Sequence, residues 1–236
     1  MAPFTIHQAV PSDLDEMVDV WVQACKEDTN WRMMKGSMTE EQEYAFVKDT
    51  IRSRVEIGVR IGAFQSWKIV DEDNGEIAGW TSASLPKTLT KEETKLITPS
   101  RQLPPEGNAA VRDFMLHEVG PLSAKNGFDR TKHFHRQGSM VRPEYQRQGL
   151  MRRLTAYIHE IADAQGEPVY VSARSAGAGS FLKQGFEVLE WVDLEMGELD
   201  ENFRGKGELK NGKTRFRLMK REAGAKPTPE KKLIEG

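Results

Sequence analysis

Val141-Arg-Pro-Glu-Tyr-Gln-Arg-Gln-Gly-Leu-Met151 closes one apolar run and opens another, and its reading decides the fold. Upstream, Ser139, Met140 and Val141 have strand character. Downstream, Leu150, Leu154, Ile158 and Ile161 recur at the helical period and form a face that packs on a sheet. Only a proline, several polar residues and Gly149 lie between, so the chain turns sharply from strand into helix. A helix N-terminus carries unpaired N–H groups and a partial positive charge. A glycine at such a turn lets the backbone approach an anion closely, so Gln146 to Met151 is expected to cradle a phosphate through main-chain amides.

Gln146-Arg-Gln-Gly-Leu-Met151 resembles the Q/R-x-x-G-x-G/A signature of the GNAT superfamily of N-acetyltransferases. Ser139-Met-Val-Arg-Pro143 resembles the end of that family's cofactor strand, where main-chain groups pair with the pantetheine arm. Gly177, followed by Phe181-Leu-Lys-Gln-Gly185-Phe186, resembles the family's fourth helix and its terminal Tyr-x-x-x-Gly-Phe. The match covers residues 134 to 196. The resemblance implies an α/β fold with a mixed, splayed central β-sheet flanked by helices, and acetyl-CoA as co-substrate. It implies cofactor contacts from Ser139, Met140, Val141, Gln146, Arg147, Gln148, Gly149, Leu150 and Met151. Two positions depart from the pattern. Met151 stands where Gly or Ala is usual, so its side chain must point away from the phosphate. Phe181 stands where many members carry a tyrosine that protonates the leaving thiolate, and a phenyl ring has no proton to donate.

The 236 residues, 38% hydrophobic and 30% charged, suffice for a sizeable core. One GNAT-like domain is expected over 1–221, with a disordered tail over 222–236, where apolar periodicity stops. A net charge of −2 and a pI near 6.3 argue against nucleic-acid or anionic-membrane partners. No apolar run approaches the roughly 20 residues that cross a bilayer, and Met1 to His7 lacks the pattern of a signal peptide. A lone cysteine, Cys25, precludes an intramolecular disulfide and fits a reducing compartment, so a cytoplasmic location is expected. No Cys/His cluster has zinc spacing, and no metal is expected.

Phe4 to Val10 alternates as an opening strand. Ser12 is expected to cap a helix whose inner face holds Leu14, Met17, Val18, Trp21, Val22 and Cys25, the cysteine reading as a core thiol. Thr39 and Gln42 have capping-box spacing ahead of Tyr44, Val47, Ile51 and Val55. Between these helices, Asn30 to Gly36 reads as a packed loop, with Trp31 and Met33 as candidate pocket residues. Trp67 to Val70 and Glu76 to Ala83 pair through the hairpin signal Asn74-Gly75. An inserted segment over 86–132 then separates strands 3 and 4, about 50 residues where a plain connection needs far fewer. It holds Pro86, Pro99, Pro104 and Pro105, and a helical stretch with Val111, Phe114, Met115 and Val119 on one face, so it is a candidate wall for an acceptor site. Strands at 168–173, 187–196 and 213–220 complete the pattern, with a helix at 175–184 closed by Gly185.

An ammonium has no lone pair, so an amine that attacks a thioester must first lose its proton. The developing oxyanion needs a donor, such as a strand N–H near Met140 or Val141. Direct attack requires no covalent enzyme intermediate. In histidine-using members of the family a strand histidine relays the proton, and by spacing from Val141 the matching position is His135. His133 is second, and Glu118 on the insertion is the acidic alternative, with His117 beside it as a candidate lining residue. The expected activity is acetyl transfer to a small-molecule amine by a monomer or homodimer. A protein-lysine acetyltransferase and a catalytically inactive acyl-CoA-binding module are the alternatives.

Overall fold

The computed structural model describes residues 3–97 and 103–227; Pro99 and the tail beyond Pro227 lie outside the described residues. The strands are β1 (Phe4–Gln8), β2 (Phe64–Asp71), β3 (Ile77–Ser84), β4 (Phe134–Val141), β5 (Val169–Arg174), β6 (Glu187–Glu195) and β7 (Lys213–Arg221). They form one mixed sheet in the order β1-β2-β3-β4-β5-β7-β6. Only β4 and β5 pair in parallel, and α7 (Leu150–Gln165) makes the crossover between them.

Helix α7 exists because Leu150, Leu154, Ile158 and Ala162 share one face, and all four are buried with Trp67, Phe134 and Val169 on one side of the sheet. Truncating Leu154 to Ala would cost about 2–5 kcal/mol. Gly166 ends the helix at φ 70°, a left-handed conformation that favours glycine. On the opposite side, α1 (Leu14–Cys25) and α3 (Glu40–Arg52) pack Met17, Val18, Val47 and Ile51 around Trp80. The Trp80 indole donates to the Met17 carbonyl at 2.9 Å. At the start of α3 the capping box forms in both directions: Gln42 N–H donates to Thr39 Oγ1 at 3.2 Å and Thr39 N–H to Gln42 Oε1 at 2.9 Å.

Four sequence expectations change. Ser12 does not cap α1; a 3-10 turn over Pro11–Asp13 leads in, and the Asp13 carboxylate accepts from Val10 N–H at 2.8 Å. The expected loop over 30–36 is a helix, α2 (Thr29–Lys35), capped by the Asp28 side chain on Trp31 N–H at 2.8 Å and ended by Gly36 at φ 57°. The insertion forms α4 (Lys91–Ile97), then α5 (Ala109–Phe114), a π-helical turn over Met115–Val119 and α6 (Gly120–Lys125), where one amphipathic helix is expected. Finally, the chain after β7 stays docked: Gly224 N–H donates to Asp163 at 2.8 Å, and Arg221 holds the Ala225 carbonyl at 2.8 Å. Short polar contacts there replace the missing apolar periodicity. Among the described residues no helix is long and apolar enough to cross a membrane.

Candidate active site

The turn from β4 into α7 falls where the phosphate cradle is expected. Gln146 folds back, its Nε2 donating to the Val141 carbonyl at 3.0 Å, and Arg147 and Gly149 adopt φ 61° and 79°. The N–H groups of Gly149, Leu150, Met151 and Arg152 meet no acceptor among the described residues. A Cβ added at Gly149 would meet nothing within 4 Å. Unpaired donors at a helix N-terminus, with open space above a left-handed glycine, fit a pyrophosphate. The side chains of Arg147 and Gln148 are exposed beside it, and Gln148 donates to the Glu144 carbonyl at 3.3 Å. Leu150 is buried and contributes its backbone alone.

Beside the cradle the sheet opens. The β4–β5 ladder runs through Phe134↔Val169, His135↔Tyr170 and Arg136↔Val171 and then stops. Against β3, Thr81 opposes Ser139 while Ala83 opposes Arg136, so Gln137 and Gly138 together face the single residue Ser82. This bulge, with Gly138 at φ 73°, bends β4 away from β5. The edges of β4 from Gln137 to Val141 and of β5 from Ser172 to Arg174 face one another without pairing.

On the α1 side of that gap lies a cavity of about 360 Å3. Met140 and Arg174, one from each parted strand, form its floor, and Leu194 and Phe216 come from β6 and β7. Trp21, Cys25, Trp31 and Phe46 supply the α1–α3 wall, while Leu103, Val111, Met115 and Leu116 of the insertion supply the facing one. Its volume falls within the range of about 300–1,000 Å3 usual for small-molecule sites.

No protein-family model matches the chain, and no curated protein does. Solved structures do. A histone acetyltransferase HPA2 and related acetyltransferase from Corynebacterium glutamicum is 18% identical, with a TM-score of 0.53 over 97% of this chain and 98% of its own. A protein described as an acetyltransferase of the GNAT family from Desulfovibrio desulfuricans is 12% identical, with a TM-score of 0.53 over 94% and 100%. The PaiA N-acetyltransferase from Thermoplasma acidophilum, solved in complex with coenzyme A, is 10% identical, with a TM-score of 0.50 over 93% and 99%. The fold is that of the GNAT acetyltransferases. At such identities the likeness concerns architecture, and the chemistry must be read from the side chains.

Within this GNAT fold the expected catalytic side chains do not converge on the cavity. His135 is not among its lining residues: Gln137 Nε2 lies 3.0 Å from His135 Nδ1, Ser123 Oγ lies 3.3 Å from Nε2, and the Phe128 ring abuts edge-on at 5.2 Å. Burial lowers its pKa to about 4, keeping the ring neutral. His133 is further off, stacked on Tyr170 at 5.2 Å with Nδ1 accepting from Asp129 N–H at 3.0 Å, and its pKa is lowered chiefly by burial. Glu118 and His117 are exposed on the insertion and line no part of the cavity. Trp31 lines the cavity as expected, whereas Met33 is fully buried behind it and Met34 takes the lining position.

The cavity's polar residues escaped the sequence reading. Arg174 grips Asp28 with two hydrogen bonds, 2.8 and 2.6 Å, and reaches Glu208 at 3.2 Å. Glu208 accepts from Asn30 Nδ2 at 3.2 Å. Asp28 and Asn30 follow directly on the apolar face of α1, a local signal that a loop assignment hides. Cys25, beside them, has its thiol pushed up to about 12 by burial and then by Asp28, so it supplies no thiolate. Arg54, Arg112 and Arg174 line the wall, with Asp28 its only lining carboxylate among the described residues; Arg174 is paired with Asp28 and Glu208, and Arg112 with Asp113. An ammonium ion on the tryptophan faces would gain about 0.5–2 kcal/mol.

On the α7 side of the sheet, Arg136 is 4% exposed and meets no carboxylate among the described residues. Its Nε donates to Thr81 Oγ1 at 3.2 Å, its Nη2 lies 2.8 Å from Met151 Sδ, and its Nη1 has no partner. Met151 therefore turns into the sheet and leaves its N–H free, which answers the first departure from the family pattern. Burial pulls the Arg136 pKa down to about 9.

Proposed function

We propose that this protein is an acetyl-CoA-dependent N-acetyltransferase acting on a small amine by direct attack. One observation carries the reading: the parted strands β4 and β5 stand between a helix N-terminus with free N–H groups on one side and a largely apolar cavity on the other. The residues present fit acetyl-CoA. The α7 N-terminus takes the pyrophosphate, the unpaired strand edges flank the pantetheine, and the thioester supplies the activated acetyl group. An amine against Met140 then faces the acetyl carbonyl, and a strand N–H at the bulge is the donor for the oxyanion. A cavity of about 360 Å3 walled in part by Met115 and Leu116 of the insertion is of a size that supports a small acceptor.

The test is a titration of the purified chain with acetyl-CoA, followed by an amine panel read by CoA release. Saturable binding with turnover on at least one small amine is expected. Binding without turnover on any amine would leave the acyl-CoA-binding module, and absence of binding would remove the reading.

A further inference from the structure

We propose that the cavity accepts a primary monoamine on an apolar, ring-bearing body and rejects acceptors that carry a second charge, polyamines and amino acids alike. The inference rests on the N-acetyltransferase reading and names the acceptor class of that site.

Two features carry it. The first is the wall. Trp31 is its centre, with the Trp21 ring 5.5 Å away at 60° and the Phe46 ring 6.3 Å away at 31°, and all three line the cavity. Trp31 is fixed before any ligand arrives: its indole donates to the buried Glu43 at 2.5 Å, Lys35 holds the same carboxylate at 2.6 Å, and Trp31 N–H donates to Asp28 at 2.8 Å. On the insertion side the lining includes Met115 and Leu116. An unbranched methionine adapts to the outline of a guest, and a pinned ring does not. An apolar ring therefore fits between one rigid wall and one pliant one.

The second feature is that the charged groups of the lining are already engaged. Arg174 holds Asp28 through two hydrogen bonds and reaches Glu208 at 3.2 Å, Arg112 pairs with Asp113 at 2.9 Å, and Arg54 donates to the Gln137 carbonyl at 3.2 Å. Asp28 is the only lining carboxylate among the described residues, and it serves Arg174 and the Trp31 backbone together. A carboxylate or a second ammonium on the acceptor would lose water without gaining a free counter-charge, and such burial is strongly disfavoured. An apolar body gains by the same transfer. Met140, on the parted strand β4, forms the floor, so the single amine belongs there and the ring belongs along Trp31.

The acceptor's ammonium gives one proton to solvent before it attacks. The lone pair then forms the N–C bond to the acetyl carbonyl, the C–S bond breaks, and the second proton shed by nitrogen goes to the departing thiolate. The products are an N-substituted acetamide and CoA thiol.

Three amines test this: phenethylamine, diaminobutane and free phenylalanine, titrated calorimetrically into the full chain at neutral pH, with acetyl-CoA titrated separately. Phenethylamine is expected to bind at least about tenfold tighter than either doubly charged compound. Phe46→Ala should weaken phenethylamine by about tenfold and leave acetyl-CoA affinity unchanged. An equal or reversed order, no binding of phenethylamine, or unchanged phenethylamine affinity in folded Phe46→Ala overturns the inference. So does displacement of phenethylamine by hexanoyl-CoA but not by acetyl-CoA, which would give the cavity to an acyl chain. If Phe46→Ala does not fold, the order among the three amines on the parent decides. Should acetyl-CoA fail to bind while phenethylamine binds in the expected order, the acetyl-transfer reading falls and the cavity's selectivity stands.

Discussion

The guanidinium of Arg136 sits over the face of the Phe181 ring, 4.8 Å from its centre. A cation therefore stands beside a ring that cannot donate a proton. Buried without an anion, it costs the free protein stability. Arg136→Met is expected to hold or raise the Tm of the free chain and to shrink the rise in Tm caused by acetyl-CoA. Thermal scans with and without ligand check both, and a drop in the free Tm would mean that the cation holds the core together.

Gly149 is left-handed with empty space above it. Gly149→Glu should cost about 1–2 kcal/mol of backbone strain, leave the chain folded, and abolish acetyl-CoA binding through bulk and like charge. Calorimetry on the folded variant is the check; unchanged affinity would displace the cradle.

Acid should loosen the fold before carboxylates titrate. His159 is 8% exposed, and burial, with Arg221 next, lowers its pKa to about 3; His135 is lowered to about 4, first by burial. In the unfolded chain both take up protons near pH 6.5, while the folded chain does not, so unfolding gains protons as pH falls. Stability is thus highest above pH 6.5 and declines toward about pH 4, by up to a few kcal/mol per histidine. Urea midpoints at pH 7.5 and 5 should show the loss, and His159→Phe should reduce it.

Met115 belongs to the insertion and lines the cavity. Met115→Trp should fill part of the volume, raise the acceptor KM by about tenfold or more, and leave acetyl-CoA affinity unchanged. Unchanged acceptor kinetics would place the amine elsewhere.

His135 stands outside the lining, with both ring nitrogens in contact with Gln137 and Ser123. The kcat/KM profile of His135→Gln against pH should keep the shape of the parent's. A lost acidic limb would restore the histidine to the proton path.

The core motif was legible because it is local. Gly149 at the turn, the Leu150/Leu154/Ile158 face and the Asn74-Gly75 hairpin each follow from a few adjacent residues, and each stands as read. The capping box at Thr39 also held, whereas Ser12 yielded to Asp13 because a 3-10 turn shifts the helix start. The cavity was less legible, since Arg174 and Asp28 are 146 residues apart and only the closed sheet brings them together. Spacing put His135 in the family's histidine position, but spacing does not encode Phe128, Ser123 and Gln137 packed around it. Nor does it encode the docking of residues 222–225, which rests on one carboxylate of α7, Asp163.

The clustered, mutually tilted indoles have an optical consequence. With centroids at 5.5 and 5.9 Å, Trp21 couples electronically to both Trp31 and Trp80, and their fixed mutual angles make that coupling chiral. The folded chain should carry an exciton signal in near-ultraviolet circular dichroism that a random arrangement of five tryptophans would not. Because two of those rings line the cavity, any guest that tilts Trp21 or Trp31 rewrites the spectrum. The protein thus reports occupancy of its own pocket without label, turnover or cofactor.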